Sequence, residues 1–248
     1  MKNILIIGGA SAIAAACARE WLRAAQPVGF FLVGRDEARL ASVANDLRVR
    51  GAARVETYVL DVNDLALHPP MLEACVAALG RIDIALVAHG TLADQAACER
   101  DPSAAVDAFM TNAVSTIALL TLLAQRFEAQ RGGTLAVISS VAADRGRPSN
   151  YVYGAAKAAV TTFCEGLRAR LFKSGVRVLT IKPGFVATPM TAGLPLPAPL
   201  VASPQRVATD IVRAIGRSRD SLYTPWFWAE VMLAIRLLPS FVFKRLSL

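Results

Sequence analysis

The chain has 248 residues, 54% of them apolar and 19% charged, with 16 Gly and 13 Pro. That is enough apolar material for a full-sized core, and it excludes disordered, collagen-like and disulfide-scaffold classes. Twenty-seven Lys and Arg against 19 Asp and Glu leave a net charge of +8; without runs of like charge or basic clusters interleaved with aromatics, this favours a phosphate-bearing small molecule over nucleic acid.

In chain order, Lys2, the apolar run Ile4 to Ile7 and the small residues Ala14 to Ala16 imitate a secretion signal. The run is only four residues long before Gly8-Gly9, so it reads as a first strand entering a turn, with Ser11 capping a helix from Ala12 to Ala25. Further strands are expected at Phe30 to Val33, Val55 to Leu60, Ile82 to Ala88, Leu135 to Ser139 and Val176 to Ile181. Each is nearly all apolar, as strands of a helix-covered parallel sheet are. Asp36 caps a helix from Glu37 to Arg50, Pro69-Pro70 opens one through Leu79 closed by Gly80, and Asp101-Pro102-Ser103 starts a long one ending near Arg131. The alternation predicts a single-domain α/β protein built on a doubly wound parallel sheet, a Rossmann fold. Residues 189 to 204, with five prolines, read as an irregular lid segment. No stretch of 18 apolar residues suggests a spanning helix.

Cys17, Cys75, Cys98 and Cys164 lie far apart and read as buried free thiols. His68 and His89 are too few for a zinc or di-iron site, so no metal is expected.

The turn Gly8-Gly9-Ala10-Ser11-Ala12-Ile13-Ala14 opens a helix where a dinucleotide pyrophosphate would meet backbone N–H groups. By itself it is also what any tight strand-to-helix turn needs. After the second strand, Arg35 can reach the 2′-phosphate of an adenosine ribose, which leans toward NADP(H), although adjacent Asp36 blurs the reading. The strongest constellation is Tyr153-Gly154-Ala155-Ala156-Lys157, thirteen residues after Ser140. Tyr153 and Lys157 share a helix face; the ammonium is expected to lower the phenol pKa and so make a proton donor and acceptor, with a serine hydroxyl opposite to hold a carbonyl oxygen.

These residues resemble the short-chain dehydrogenase/reductase family, whose Tyr-x-x-x-Lys pair and preceding serine match Tyr153, Lys157 and Ser140. The similarity covers residues 1 to about 220. It implies that hydride from the nicotinamide reduces a ketone, Tyr153 protonates the alkoxide, Lys157 lowers the Tyr153 pKa and bonds the nicotinamide ribose, and Ser140 stabilises charge on the carbonyl oxygen. Asn112 matches the asparagine that kinks the long central helix and holds a proton-relay water. Gly8, Ala12 and Ala14 occupy the three glycine positions of the family's T-G-x-x-x-G-x-G turn, so two are altered. Gly8, Ser11, Ala12 and Ile13 are the implied pyrophosphate residues, and Asp61 and Val62 the adenine contacts. Ala88-His89-Gly90 stands where Asn-Ala-Gly is usual, with His89 a structural substitute and Ala88 and Gly90 beside the cofactor. Pro183, Gly184, Val186 and Thr188 fall in a P-G-x-x-x-T segment, with Thr188 on the carboxamide or diphosphate. The family further implies a homodimer or homotetramer through the long central helices.

Residues 223 to 248 form an apolar extension, not an independent domain, holding two of the three tryptophans. A helix there needs cover from the core, a partner chain, an apolar substrate or the headgroup boundary of a bilayer. The tail, with Ala142-Ala143-Asp144-Arg145-Gly146-Arg147, resembles within the family the reductases of decaprenylphosphoryl 2-keto-pentofuranose. That narrower resemblance implies a polyprenyl-phosphate keto-sugar and a cytoplasmic enzyme at the inner membrane face, with Arg145, Arg147 and Lys244-Arg245 as sources of positive charge. The alternatives are a reductase of another apolar carbonyl compound, with the tail as lid or dimer surface, and a catalytically idle cofactor-binding sensor.

Overall fold

A computed structural model describes residues 1–24 and 26–246. Ala25, expected at the end of the first helix, and residues 247 and 248 of the tail lie outside the described residues. Seven strands form one parallel sheet in the order β3-β2-β1-β4-β5-β6-β7. They are β1 (Lys2–Ile7), β2 (Val28–Gly34), β3 (Arg54–Val59), β4 (Ile84–Val87), β5 (Gly133–Ile138), β6 (Val176–Pro183) and β7 (Ser221–Thr224). Residues of β1 alternate between two cores: Ile4 and Ile6 face α1 (Ala12–Trp21), α2 (Glu37–Val49) and α8 (Pro204–Gly216), while Leu5 and Ile7 face the opposite helices. Those are α3 (His68–Leu79), α6 (Ser115–Ala129) and α7 (Tyr151–Leu171). The four cysteines are buried free thiols, as expected.

The sheet order reverses between β1 and β4, and the crevice at their carboxyl ends is where such folds bind ligands. The Gly8 turn and the Ala88–Gly90 segment meet there.

Three elements differ from the sequence reading. The long central helix is preceded by a short α4 (Gln95–Arg100), and it is interrupted: α5 (Pro102–Phe109) passes through a five-residue π-helical turn at Met110–Val114 into α6. The first helix ends at Trp21, short of its expected end. A seventh strand, Ser221–Thr224, straddles the 222/223 division between the catalytic portion and the tail. The tail continues as α9 (Trp228–Leu237) and α10 (Ser240–Phe243).

The run Pro102–Ala129 is long and apolar enough to cross a membrane by length and composition. Its Leu119, Leu120, Leu123 and Phe127 are instead packed into the core beneath the sheet. The proline-rich segment is tied at its base, where Ala187 N–H donates to Ala202 O at 2.9 Å and Ala202 N–H to Phe185 O at 2.9 Å.

Candidate active site

At the end of β1, Gly8 has φ +84°, and a Cβ there would stand 2.6 Å from the His89 nitrogen. Only glycine lets the β1 turn lie this close to the β4 turn. Ser11 caps α1, its hydroxyl accepting from Ala14 N–H at 3.4 Å. The other first-turn N–H groups, those of Ala12 and Ile13, have no carbonyl within their own helix and suit an anion. These residues therefore fit a dinucleotide pyrophosphate, with Ala12 as the first residue of α1.

Arg35 lies exposed just beyond β2. Asp36, which blurred the cofactor reading, caps α2 by accepting from Arg39 N–H at 3.0 Å. Sequence reasoning missed Arg39, whose guanidinium donates to Ala10 O at 3.4 Å and lines, with Ala12, Ser42 and Gln205, a hollow of about 490 Å³ beside the turn. Its signal was a basic residue one turn into α2, on the face toward the turn.

Asp61 is exposed and its Oδ1 accepts from Asn63 N–H at 2.9 Å. Val62 O accepts from the buried His68 Nε2 at 2.9 Å. At the β4 end, Ala88 is buried. His89 Nε2 lies 3.1 Å from Ser115 Oγ and 3.0 Å from Thr116 Oγ1. Since Ser115 donates its own proton to Thr111 O at 2.8 Å, its lone pairs accept from His89. Burial, then the nearby Lys157 charge, pushes the imidazole down to about 3, so it stays neutral and structural.

Asn112 is fully buried in the π-helical turn. Its side-chain amide donates to Ala108 O at 2.9 Å, taking a carbonyl one turn back, while its Oδ1 accepts from Thr91 N–H at 3.0 Å. The asparagine thereby joins the widened helix to the β4 turn, a distortion common at functional sites. Gly90 sits between, where a Cβ would lie 2.9 Å from Asn112 Oδ1 and 3.4 Å from Lys157 Nζ.

Ser140 leaves β5 in extended conformation, its hydroxyl accepting from Ala142 N–H at 3.1 Å. Tyr153 and Lys157 lie on α7. The helix approaches the Ser140 loop so closely that a Cβ on Gly154 would stand 2.9 Å from Ala142 O. That approach sets the Tyr153 phenol beside Ser140, near enough for the serine hydroxyl to influence its ionisation. Ser139, whose part was not anticipated, fixes the helix from below: its hydroxyl donates to Lys157 O at 3.1 Å and lies 2.8 Å from Thr161 Oγ1. Lys157 Nζ donates to Ile138 O at 3.1 Å and lies 5.8 Å from the Tyr153 ring centroid.

The electrostatics correct one expectation. Burial pushes the Tyr153 phenol up to about 12, opposed by the Ser140 hydroxyl. Burial likewise pushes Lys157 down to about 8. The ammonium does not depress the phenol here: burial is the largest influence on each group, countered at Tyr153 by Ser140 and at Lys157 by Cys164.

Pro183 ends β6, and Gly184 N–H donates to Thr224 O at 3.1 Å. A Cβ on Gly184 would fall 1.9 Å from the indole nitrogen of Trp228. Val186 O accepts from the Thr191 hydroxyl at 2.6 Å, and Thr188 caps the short turn at Pro189–Thr191. Trp228 and Met232 are buried with Val141, next to Ser140. The tail thus packs on the loops that carry the site. Arg145 is spent there as well, donating to Leu238 O at 2.7 Å beyond α9 and stacking 3.8 Å over Phe243. This corrects its expected service as a free phosphate-binding charge.

The sequence profile described as short chain dehydrogenase matches residues 2–197. An uncharacterized oxidoreductase of Mycobacterium tuberculosis is 41% identical over 243 residues, covering 98% of this chain and 96% of the relative. Another from Streptomyces coelicolor is 35% identical over 247 residues, covering 99% and 96%. Among solved structures, a short chain dehydrogenase/reductase family protein superposes with TM-score 0.76 at 27% identity, over 90% of this chain and 94% of the other. An actinorhodin polyketide ketoreductase with NADPH shares the fold, with TM-score 0.82 at 20% identity over 92% and 97%.

Proposed function

The chain belongs to the short-chain dehydrogenase/reductase family of oxidoreductases, and from that premise we propose that it reduces a ketone to an alcohol with NADPH in preference to NADH. One observation carries this reading: α7 closes on the Ser140 loop, Gly154 lying against Ala142 O, so that Tyr153 stands beside Ser140 with the Lys157 amine buried one helical turn along. When bound, the nicotinamide supplies the hydride. Ser140 holds the carbonyl oxygen, and Tyr153 delivers the proton to it as the alkoxide forms. A phenol held near 12 is protonated at neutral pH, the form that reduction consumes. Lys157, fastened to Ile138 O and the Ser139-supported backbone, bonds the nicotinamide ribose, and Asn112 keeps the relay to it.

Gly8, Ser11, Ala12 and Ile13 would hold the pyrophosphate, Asp61, Val62 and Ala88 the adenosine side, and Gly90, Pro183, Gly184, Val186 and Thr188 the nicotinamide side. Arg35 and Arg39 would meet a 2′-phosphate, which supports NADPH. For the substrate we favour a polyprenyl-phosphate keto-sugar presented at the inner face of the cytoplasmic membrane. That assignment is supported by the exposed apolar residues Trp226, Leu233, Leu237 and Phe241, with Arg236, Lys244 and Arg245 among them. Residues 223–248 are read as part of the catalytic unit, because Trp228 and Met232 are buried against it. A homodimer or homotetramer is favoured by the apolar groove lined by Val106, Phe109, Tyr151 and Val152, on α5 and α7.

Fluorescence titration with NADPH and NADH tests the cofactor assignment. NADPH should bind more tightly, and Arg35→Ala together with Arg39→Ala should weaken NADPH at least tenfold while leaving NADH within about threefold. Equal affinity for NADPH in the double variant overturns the phosphate contact.

A further inference from the structure

Ser140 is followed by a short helical turn at Val141–Ala143, which closes on Asp144, whose backbone N–H donates to Val141 O at 3.3 Å. Ser140 holds the near end of this turn: its Oγ accepts from Ala142 N–H at 3.1 Å and its backbone O from Ala143 N–H at 3.1 Å. The far end is held by charge. The Asp144 side chain, 3% exposed, accepts from Lys182 Nζ at 2.6 Å through Oδ1 and from the Tyr223 hydroxyl at 2.7 Å through Oδ2. Both carboxylate oxygens are thus engaged, by residues 38 and 79 positions along the chain. Lys182 lies on β6 directly before Pro183 and Gly184, and Tyr223 lies on β7 next to Thr224, whose carbonyl accepts from Gly184 N–H at 3.1 Å. One enclosed carboxylate therefore fastens the Ser140 turn to the two strands that carry and brace the P-G segment. A buried ion pair contributes little net stability compared with apolar packing, because desolvation offsets the attraction, whereas its short charged hydrogen bonds define direction closely.

We propose that Asp144 is a positioning residue for the reduction: through Lys182 and Tyr223 it sets the Ser140 hydroxyl relative to the Tyr153 phenol and the P-G segment. It acts through Ser140, and the proposal rests on the reading of Ser140 as the group that holds the carbonyl oxygen. A donor that is held in place before the substrate arrives needs no reorganisation as charge develops, and a small displacement of it costs rate.

The test uses the full chain and two readouts: amide hydrogen exchange by NMR without cofactor, and steady-state reduction, at saturating NADPH, of a ketone that the wild type turns over. Asp144→Asn should speed exchange at Ala142 and Ala143 at least about tenfold while the amides of β1 stay within about threefold of wild type. It should also lower kcat at least about tenfold with NADPH affinity within about threefold. Asp144→Asn combined with Lys182→Met removes the lysine charge that the single change leaves unpaired, so the melting temperature should recover toward wild type while kcat stays low. A merely structural ion pair would return activity and melting temperature together in that double variant, and this result overturns the proposal. Tyr223→Phe removes one anchor and leaves no buried charge unpaired; it should speed exchange of the same two amides at least about threefold, and it decides the matter if Asp144→Asn does not fold. Unchanged exchange at Ala142 and Ala143 in the variants that fold overturns the proposal as well. A wild type that binds NADPH yet reduces no ketone counts against the reductase reading, whereas the exchange comparison needs no turnover and stands or falls separately.

Discussion

Tyr153, Lys157 and Ser140 show what a spacing can and cannot specify. The separation of Tyr153 from Lys157 fixes a shared helix face, and both residues do lie on α7 beside the end of β5. The spacing was silent on desolvation, which depends on how tightly the helix closes over the loop, and so it gave the wrong direction for the phenol. Arg145 and Arg147 were equally indistinguishable as letters in one basic loop; which of them is consumed by tail carbonyls depends on a contact made with residues far along the chain. Lys157 carries the clearest residue-scale prediction. With its amine pushed down to about 8, kcat/KM for reduction should fall as pH rises through about 8, because the free enzyme's ammonium is discharged there. For stability the sign is opposite: the unfolded lysine keeps its proton up to its ordinary value of 10.5, so this group makes the fold more stable as pH rises from about 8 to about 10.5. A pH–rate profile flat from 7 to 10 would contradict the first statement.

Five of the seven strands were legible because central parallel strands are apolar on both faces, every side chain of β4 being buried, while the edge strand β3, with Val55 alone buried, was legible from its β-branched residues Val55, Thr57 and Val59. The seventh, Ser221–Thr224, is four residues long with one buried residue, and offers no such run. The π-helical turn was legible only as a kink implied by the resemblance; the widening itself comes from the Asn112 amide taking Ala108 O. The fit of the tail helix against the P-G segment was not legible at all, since neither Gly184 nor Trp228 signals the other. It nevertheless yields a sharp expectation. A methyl at position 184 would overlap the Trp228 indole, so Gly184→Ala should displace α9, cost about 1–3 kcal/mol as overpacking does, and shift tryptophan emission to the red. A variant with unchanged emission and melting temperature would show that α9 is not seated there.

For the whole molecule, a doubly wound sheet places the β1 and β4 turns at one switch point and brings α7 against the end of β5, so residues distant in sequence converge on one crevice. The fold class was readable from alternation alone, whereas the surroundings of the site required the packing of a tail. That tail buries one face and exposes Leu233, Leu237 and Phe241 on another. Anionic liposomes should therefore co-float the wild-type chain, and a Leu233→Ser, Leu237→Ser, Phe241→Ser triple variant should remain unbound while keeping its NADPH affinity; equal flotation of the two would remove the membrane contact from the account. The chemistry itself is tested most directly by comparing wild type with Tyr153→Phe in reduction of a ketone that the wild type turns over, followed by NADPH absorbance at saturating cofactor. The expected result is NADPH affinity within about threefold of wild type and a rate at least ~100-fold lower; a Tyr153→Phe protein that reduces the ketone at the wild-type rate would contradict the assignment of the proton donor.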